Sequence, residues 1–232
     1  MNCKVAHTAK QCPPFDMSFG AFYPYFGHIA RTLVEYFEVH TVLDIGCNTG
    51  ALVKAFRDLG IEAYGVDVLE AAISNAPKEL KEQLHCLDVT RDKLPFEDEK
   101  FDLITMSEVV EHLPDCQWAL SEIRRVLKVN GHIYVTTPSM PGADIFSNMI
   151  HLGRLRNPAH INVHSKQFWV KLFGSYGLEY LCDFPKAERK KALAPLFNSK
   201  FQRLLYKIYS LSFVPDFRSN LIFQKRPGRN SE

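Results

Sequence analysis

Thr41-Val42-Leu43-Asp44-Ile45-Gly46-Cys47-Asn48-Thr49-Gly50 is the stretch whose reading decides how this chain folds. Val42, Leu43 and Ile45 suit a pleated, buried strand. Gly46 and Gly50 then bound a turn in which the backbone can take angles and approaches that a side chain forbids. Beyond the turn Ala51, Leu52, Val53, Ala55, Phe56 and Leu59 recur at helical spacing as far as Gly60, a residue suited to ending a helix. The first unit is therefore strand, turn, helix. Its loop reads Gly-x-x-x-Gly, with Cys47 and Asn48 inside it. The G-x-G-x-x-G pattern that seats a pyrophosphate on bare backbone is missing. Asp44 stands just before the turn, where a carboxylate repels a pyrophosphate and attracts a cation. The loop suits a positively charged ligand.

Two more acids arrive in register. Ile61 to Asp67 alternates as a second strand, and Asp67 lies 21 residues beyond Gly46. In a parallel α/β sheet that distance returns the chain to the same edge, where a carboxylate can accept hydrogen bonds from a ribose diol. A helix over Leu69 to Ala76 leads to a third strand, Leu84 to Val89, which carries Asp88 near its end. Together the loop and the three acids resemble the cofactor motifs of the class I S-adenosylmethionine-dependent methyltransferases, whose ligand carries an ammonium and a sulfonium. The resemblance implies that Asp44, Gly46, Cys47 and Gly50 serve the amino-acid end of the cofactor and Asp67 its ribose. It also implies that Asp88 and Val89 serve its adenine, with Val68 and Ser107 as further cofactor contacts.

The rest of the chain agrees with that family. A leading helix is expected from Pro24 to Phe37, with the aromatics Phe19, Phe22, Tyr23, Tyr25 and Phe26 lining a substrate mouth or packing in the core. Phe101 to Ser107 reads as a fourth buried strand. A helix begins at Pro114 and Asp115 and closes at Asn130-Gly131, followed by a fifth strand, Ile133 to Thr137, stopped by Pro138. Phe168 to Gly177 is a helix, Leu178 to Phe184 a sixth strand, and Ser219 to Gln224 a seventh that the family inserts antiparallel. The expected fold is an α/β Rossmann-like seven-stranded sheet, mostly parallel with one antiparallel strand and with helices on both faces. The expected organisation is one methyltransferase domain over residues 1–232, with a mobile N-terminal arm over 1–18 and a basic helical insertion over 186–215 before the last strand.

Methyl transfer from a sulfonium needs mainly alignment, plus removal of a proton when the acceptor is a hydroxyl or ammonium. Glu108-Val109-Val110-Glu111-His112-Leu113 directly follows the fourth strand and looks like the fourth-motif region of the family, where cofactor and acceptor meet. His112 is the expected base, because an imidazole titrates near neutrality. On a helical turn Glu108, Glu111 and His112 would fall together at i, i+3, i+4 and hold Mg²⁺ or another divalent cation. This run resembles the metal site of the small-RNA 2′-O-methyltransferases, and similar runs occur in ubiquinone-biosynthesis O-methyltransferases. That pattern needs a later histidine, for which His160 is the better match and His164 the second.

Composition bounds the setting. The chain has 232 residues, 46% hydrophobic and 23% charged, as in an ordinary globular protein. No apolar run approaches membrane-spanning length and no signal-peptide pattern is visible, so a cytoplasmic protein is expected. Six cysteines without a C-x-x-C pair argue against a zinc cluster or a disulfide framework and for buried, reduced thiols. Residues 1–185 carry a net charge of −6 and residues 186–232 a net +8. Phe201, Leu204, Leu205, Ile208 and Tyr209 line one face of a basic helix suited to its own domain or to peripheral membrane contact. The expected activity is O-methylation of a small-molecule or lipid-linked acceptor. An RNA 2′-O-methyltransferase is the less favoured alternative, since no RNA-binding module is visible. A non-catalytic S-adenosylmethionine-binding protein is the alternative outside enzymes, and a nicotinamide dehydrogenase is disfavoured by the loop.

Overall fold

The computed structural model describes residues 19–138, 159–193 and 218–227. Helix α1 (Phe19–Tyr36) leads into β1 (Thr41–Ile45), α2 (Ala51–Asp58), β2 (Glu62–Asp67), α3 (Glu70–Ser74) and β3 (Leu84–Cys86). Strand β4 (Phe101–Ser107), α4 (Gln117–Val126) and β5 (Leu127–Pro138) follow, then α5 (Lys166–Ser175), β6 (Leu178–Asp183), α6 (Lys186–Leu193) and β7 (Arg218–Lys225). The seven strands form one sheet in the order β3-β2-β1-β4-β5-β7-β6. Strands β1 to β5 pair in parallel, and β7 runs antiparallel between β5 and β6. The expected α/β architecture is the one found.

Alternation along each strand divides the core into two layers. Leu43 and Ile45 of β1, Ile133 and Val135 of β5 and Leu221 and Phe223 of β7 pack with α4 and α5 on one face. Val42, Tyr134 and Ile222, each one residue out of step, pack with α1, α2 and α6 on the other. Phe173 of α5 stacks on Phe223 with centroids 4.4 Å apart, both rings fully buried. Each such ring stabilises the fold by roughly 1.5–3 kcal/mol.

Several expected boundaries move, for local reasons. Helix α1 begins at Phe19, five residues before Pro24, which stands inside it. The proline costs only the bond to the carbonyl of Gly20, and both residues are exposed, so water replaces it. Helix α3 is shorter than Leu69 to Ala76, and a separate 3₁₀ turn covers Lys78–Leu80. Strand β3 stops at Cys86 because Asp88 turns the chain, its carboxylate accepting from the backbone N–H and hydroxyl of Thr90. Helix α4 passes at Leu127 straight into β5, so Asn130-Gly131 lies within the strand, with Asn130 at φ +63°. Helix α5 is capped by Ser165, whose hydroxyl accepts from the N–H of Phe168.

The proposed arm over 1–18 lies outside the described residues, and of the basic insertion only α6 lies within them. Among the described residues no helix is long and apolar enough to cross a membrane. The four described cysteines are unbridged, but only Cys47 and Cys116 are buried; Cys182 is exposed because it lies near the end of edge strand β6.

Candidate functional site: a carboxylate cleft and a histidine turn

At the C-terminal ends of β1 and β4 the strand order reverses, which in open α/β sheets opens a crevice. The loop after β1 is bent by three residues with positive φ, Gly46 (76°), Asn48 (50°) and Gly50 (83°). Gly46 and Cys47 both donate their N–H to the carbonyl of Val66, which pulls the loop against β2. Glycines allow that closeness. A Cβ on Gly46 would stand 2.4 Å from a methyl of Val109, and one on Gly65 would stand 2.7 Å from Cys47. Asp67, at the end of β2, accepts from the N–H of Asn48 (2.7 Å) and of Leu69 (2.9 Å), tying the loop to the following turn.

An open cleft lies beside this loop. Asp44, Gly46, Cys47 and Ser107 line it, together with Phe22 and Phe26 from α1. Asn48, Thr49, Ala51 and Leu52 complete the wall, and none of these four is among the expected site residues. Gly50 caps α2 instead. Asp67, Val68, Asp88 and Val89 lie outside the lining, at the ends of β2 and β3. Val68 is exposed, Val89 packs against the core, and the Asp88 carboxylate is already engaged by Thr90 and, at 3.4 Å, by Arg91. The aromatic density of residues 19–26 was the signal for the α1 wall.

Asp44 is 4% exposed and receives a 2.6 Å hydrogen bond from the hydroxyl of Thr105, its register partner on β4. Burial pushes its carboxyl up to about 7; the Thr105 hydroxyl opposes the shift and the nearby Asp67 adds to it. Burial likewise raises Asp67 and the Cys47 thiol. Asp44 is the one charged side chain among the described residues lining the cleft, and its carboxylate favours a cation there over a phosphate.

The second cluster follows β4. Glu108 takes a left-handed backbone (φ +57°), held by its N–H to the Thr136 carbonyl and by the Thr136 hydroxyl donating to its carboxylate at 3.0 Å. The helical turn covers only Val110–His112 and is 3₁₀. The expected i, i+3, i+4 set therefore does not assemble, and Glu108 points to β5. Glu111, His112 and His160 do come together, with one candidate ligand atom from each within 4.8 Å of the others. His164 is instead stacked on Phe168 at 3.7 Å. The Nδ1–H of His112 donates to the carbonyl of Ala159 at 2.9 Å, which leaves the ring lone pair on Nε2. Ile161 and Asn162 both donate backbone N–H to the Glu111 carbonyl, and the Asn162 side-chain amide donates to that of Leu113 at 3.0 Å.

A switch-point cleft with a buried carboxylate and a glycine-bent loop is the arrangement of an enzyme that holds a cationic adenosyl cofactor. Residues 20–183 match the family model described as "Methyltransferase domain". The chain is 36% identical over 148 residues to the uncharacterized methyltransferase YcgJ of Bacillus subtilis (strain 168), covering 61% of this chain and 58% of that protein. It is 32% identical over 104 residues to the ubiquinone biosynthesis O-methyltransferase of Alkalilimnicola ehrlichii, covering 43% of this chain and 42% of that one. The chain thus spans between about two fifths and three fifths of the length of these relatives. The crystal structure of YcgJ superposes with a TM-score of 0.57 at 25% identity, covering 88% of this chain and 99% of that chain. That of a SAM-dependent methyltransferase from Archaeoglobus fulgidus gives 0.61 at 20% identity, covering 91% and 98%, a likeness of fold. The chain belongs to the methyltransferase-domain family, that of the class I S-adenosylmethionine-dependent methyltransferases.

Proposed function

We propose that this enzyme methylates an oxygen of a small or lipid-linked metabolite, with His112 as the general base. The observation that carries the reading is the Nδ1–H bond of His112 to Ala159, which orients the ring in the turn that follows β4. The Asp44 carboxylate receives the positive charge of the cofactor's amino-acid end, and Gly46 and Ser107 let it approach. Asp67 accepts from the ribose diol, while Asp88, Val68 and Val89 border the adenine. The cofactor supplies a methyl group already activated by its sulfonium. His112 then holds the hydroxyl proton at Nε2 as the methyl–oxygen bond forms. The name of the Alkalilimnicola ehrlichii relative, a ubiquinone biosynthesis O-methyltransferase, supports oxygen as the acceptor atom and a lipid-linked acceptor.

The gathering of Glu111, His112 and His160 favours a second reading, in which a divalent cation sits there. One carboxylate and two imidazoles are a fitting donor set, and a cation would lower the pKa of an acceptor hydroxyl. In that case His112 is a ligand and not the base. The test is incubation of the enzyme with methyl-labelled cofactor and fractionated cell extract, with and without exhaustive chelation. A labelled ether in the metabolite or lipid fraction supports the first reading, and loss of turnover on chelation supports the second. Label in RNA, or on nitrogen, would overturn the acceptor assignment.

A further inference from the structure

We infer that Phe22 and Phe26 form an aromatic wall for the sulfonium of the methyl donor and, with Asp44, make one cation-binding box; this rests on the use of S-adenosylmethionine. The two phenyl rings stand one turn apart on α1, their centroids separated by 6.4 Å and their planes inclined at 43°. Both face the cleft that Asp44 and Ser107 line from β1 and β4. Phe26 is held by packing, its ring edge-on to Tyr25 at 5.1 Å and its inner side against the core of the α1 and α2 layer. A ring held in this way loses little freedom when a ligand packs against it.

Charge decides what such a wall is for. Among the described residues lining the cleft there is no lysine, arginine or histidine, and Asp44 alone carries charge. A cation within about 6 Å of an aromatic centroid is attracted by the ring quadrupole, more strongly where water is excluded. A wall that acted only by apolar area would be indifferent to the charge on sulfur. The two roles separate because S-adenosylhomocysteine shares the adenosine and the amino-acid end of the donor but carries a neutral thioether. Both ligands bring the same ammonium to Asp44, so its contribution cancels in their affinity ratio.

The experiment is calorimetric titration of the full chain and of its Phe22→Leu, Phe26→Leu and double variants with S-adenosylmethionine and S-adenosylhomocysteine. Leucine keeps apolar volume and removes the π face. Each single change should weaken the sulfonium ligand by roughly 3–10-fold, with the thioether affected less than about twofold. The double variant should widen the difference. Any partly unfolded fraction lowers the titratable amount for both ligands alike and leaves the ratio of affinities intact. Equal losses for the two ligands, or none, would overturn the wall. Failure of the unaltered chain to bind either ligand would overturn the cofactor assignment itself, and the wall with it.

Discussion

The Thr105 hydroxyl donates to the Asp44 carboxylate at 2.6 Å, linking the two strands between which the cleft opens. This bond stabilises the ionised form, yet burial dominates and holds the carboxyl near 7. The folded pKa lies above the unfolded value of 3.8, so the native state binds the proton more tightly than the unfolded chain does. The stability that Asp44 contributes is full below about pH 4 and is lost as pH rises through about 7. Against Asp44→Asn, which has no such titration, the unaltered protein should lose melting temperature steadily across that window. Parallel melting curves for the two proteins would refute the assignment.

The same carboxylate couples cofactor binding to pH. A cationic ligand favours the ionised form, so binding should tighten as pH rises through 7 and release up to one proton per cofactor. Titration calorimetry in buffers of different ionisation enthalpy measures the release directly. Asp44→Asn should abolish it; a release that persists in the variant places the proton elsewhere.

Asp67 accepts two backbone N–H bonds from separate loops, so its removal acts on the site and on the fold. Hydrogen bonds to a charged group contribute about 1.5–3 kcal/mol each, and Asp67→Ala should cost roughly that much stability and weaken S-adenosylmethionine at least tenfold. Neither protein should bind NAD measurably. Tight NAD binding, or an unchanged dissociation constant in the variant, contradicts the expectation.

Gly46 combines φ +76° with a methyl of Val109 only 2.4 Å from where a Cβ would stand. Gly46→Ala should destabilise by about 2–4 kcal/mol, part from the left-handed backbone and part from the clash. Adding Val109→Ala should recover the clash part only, so a double-mutant cycle in denaturant separates the two. Simple additivity would mean that the loop yields without cost.

His112→Ala should lower kcat by roughly 10²–10⁴-fold while cofactor affinity stays within about threefold. Asn162→Ala, which loosens the turn behind the ring, should lower kcat by a smaller factor and leave KM for the cofactor unchanged. Normal kcat in His112→Ala would remove the histidine from the chemistry.

Much of this was readable from residue order. The β-branched run before Gly46 and the 21-residue return to Asp67 set the parallel sheet, because strand period, helix period and crossover length are local properties. The cleft residues Asp44, Gly46, Cys47 and Ser107 follow from that sheet, since a strand's C-terminal end is where its side chains meet a crevice. The Glu108 side chain was misjudged because i, i+3, i+4 spacing brings side chains together only on a helix. A left-handed residue locked by Thr136, 28 positions away, keeps Glu108 off one. The bonds from Thr90 by which Asp88 also turns the chain are a second task of that carboxylate, which a strand-end position alone does not announce.

The sequence by itself determined the sheet, the loop and the sign of the charge at the cleft, because these rest on spacing and residue type along the chain, and its resemblance to the class I methyltransferases implied the methyl donor. Tertiary structure decided which side chains share the cleft. It put Phe22 and Phe26 in the cleft with Asp44 and, in the separate turn beyond β4, set Ala159 behind His112 and brought His160 beside Glu111. Those neighbours are separated by tens of residues in the chain, and their meeting is fixed by how helices and returning loops pack on the sheet, which no local pattern encodes.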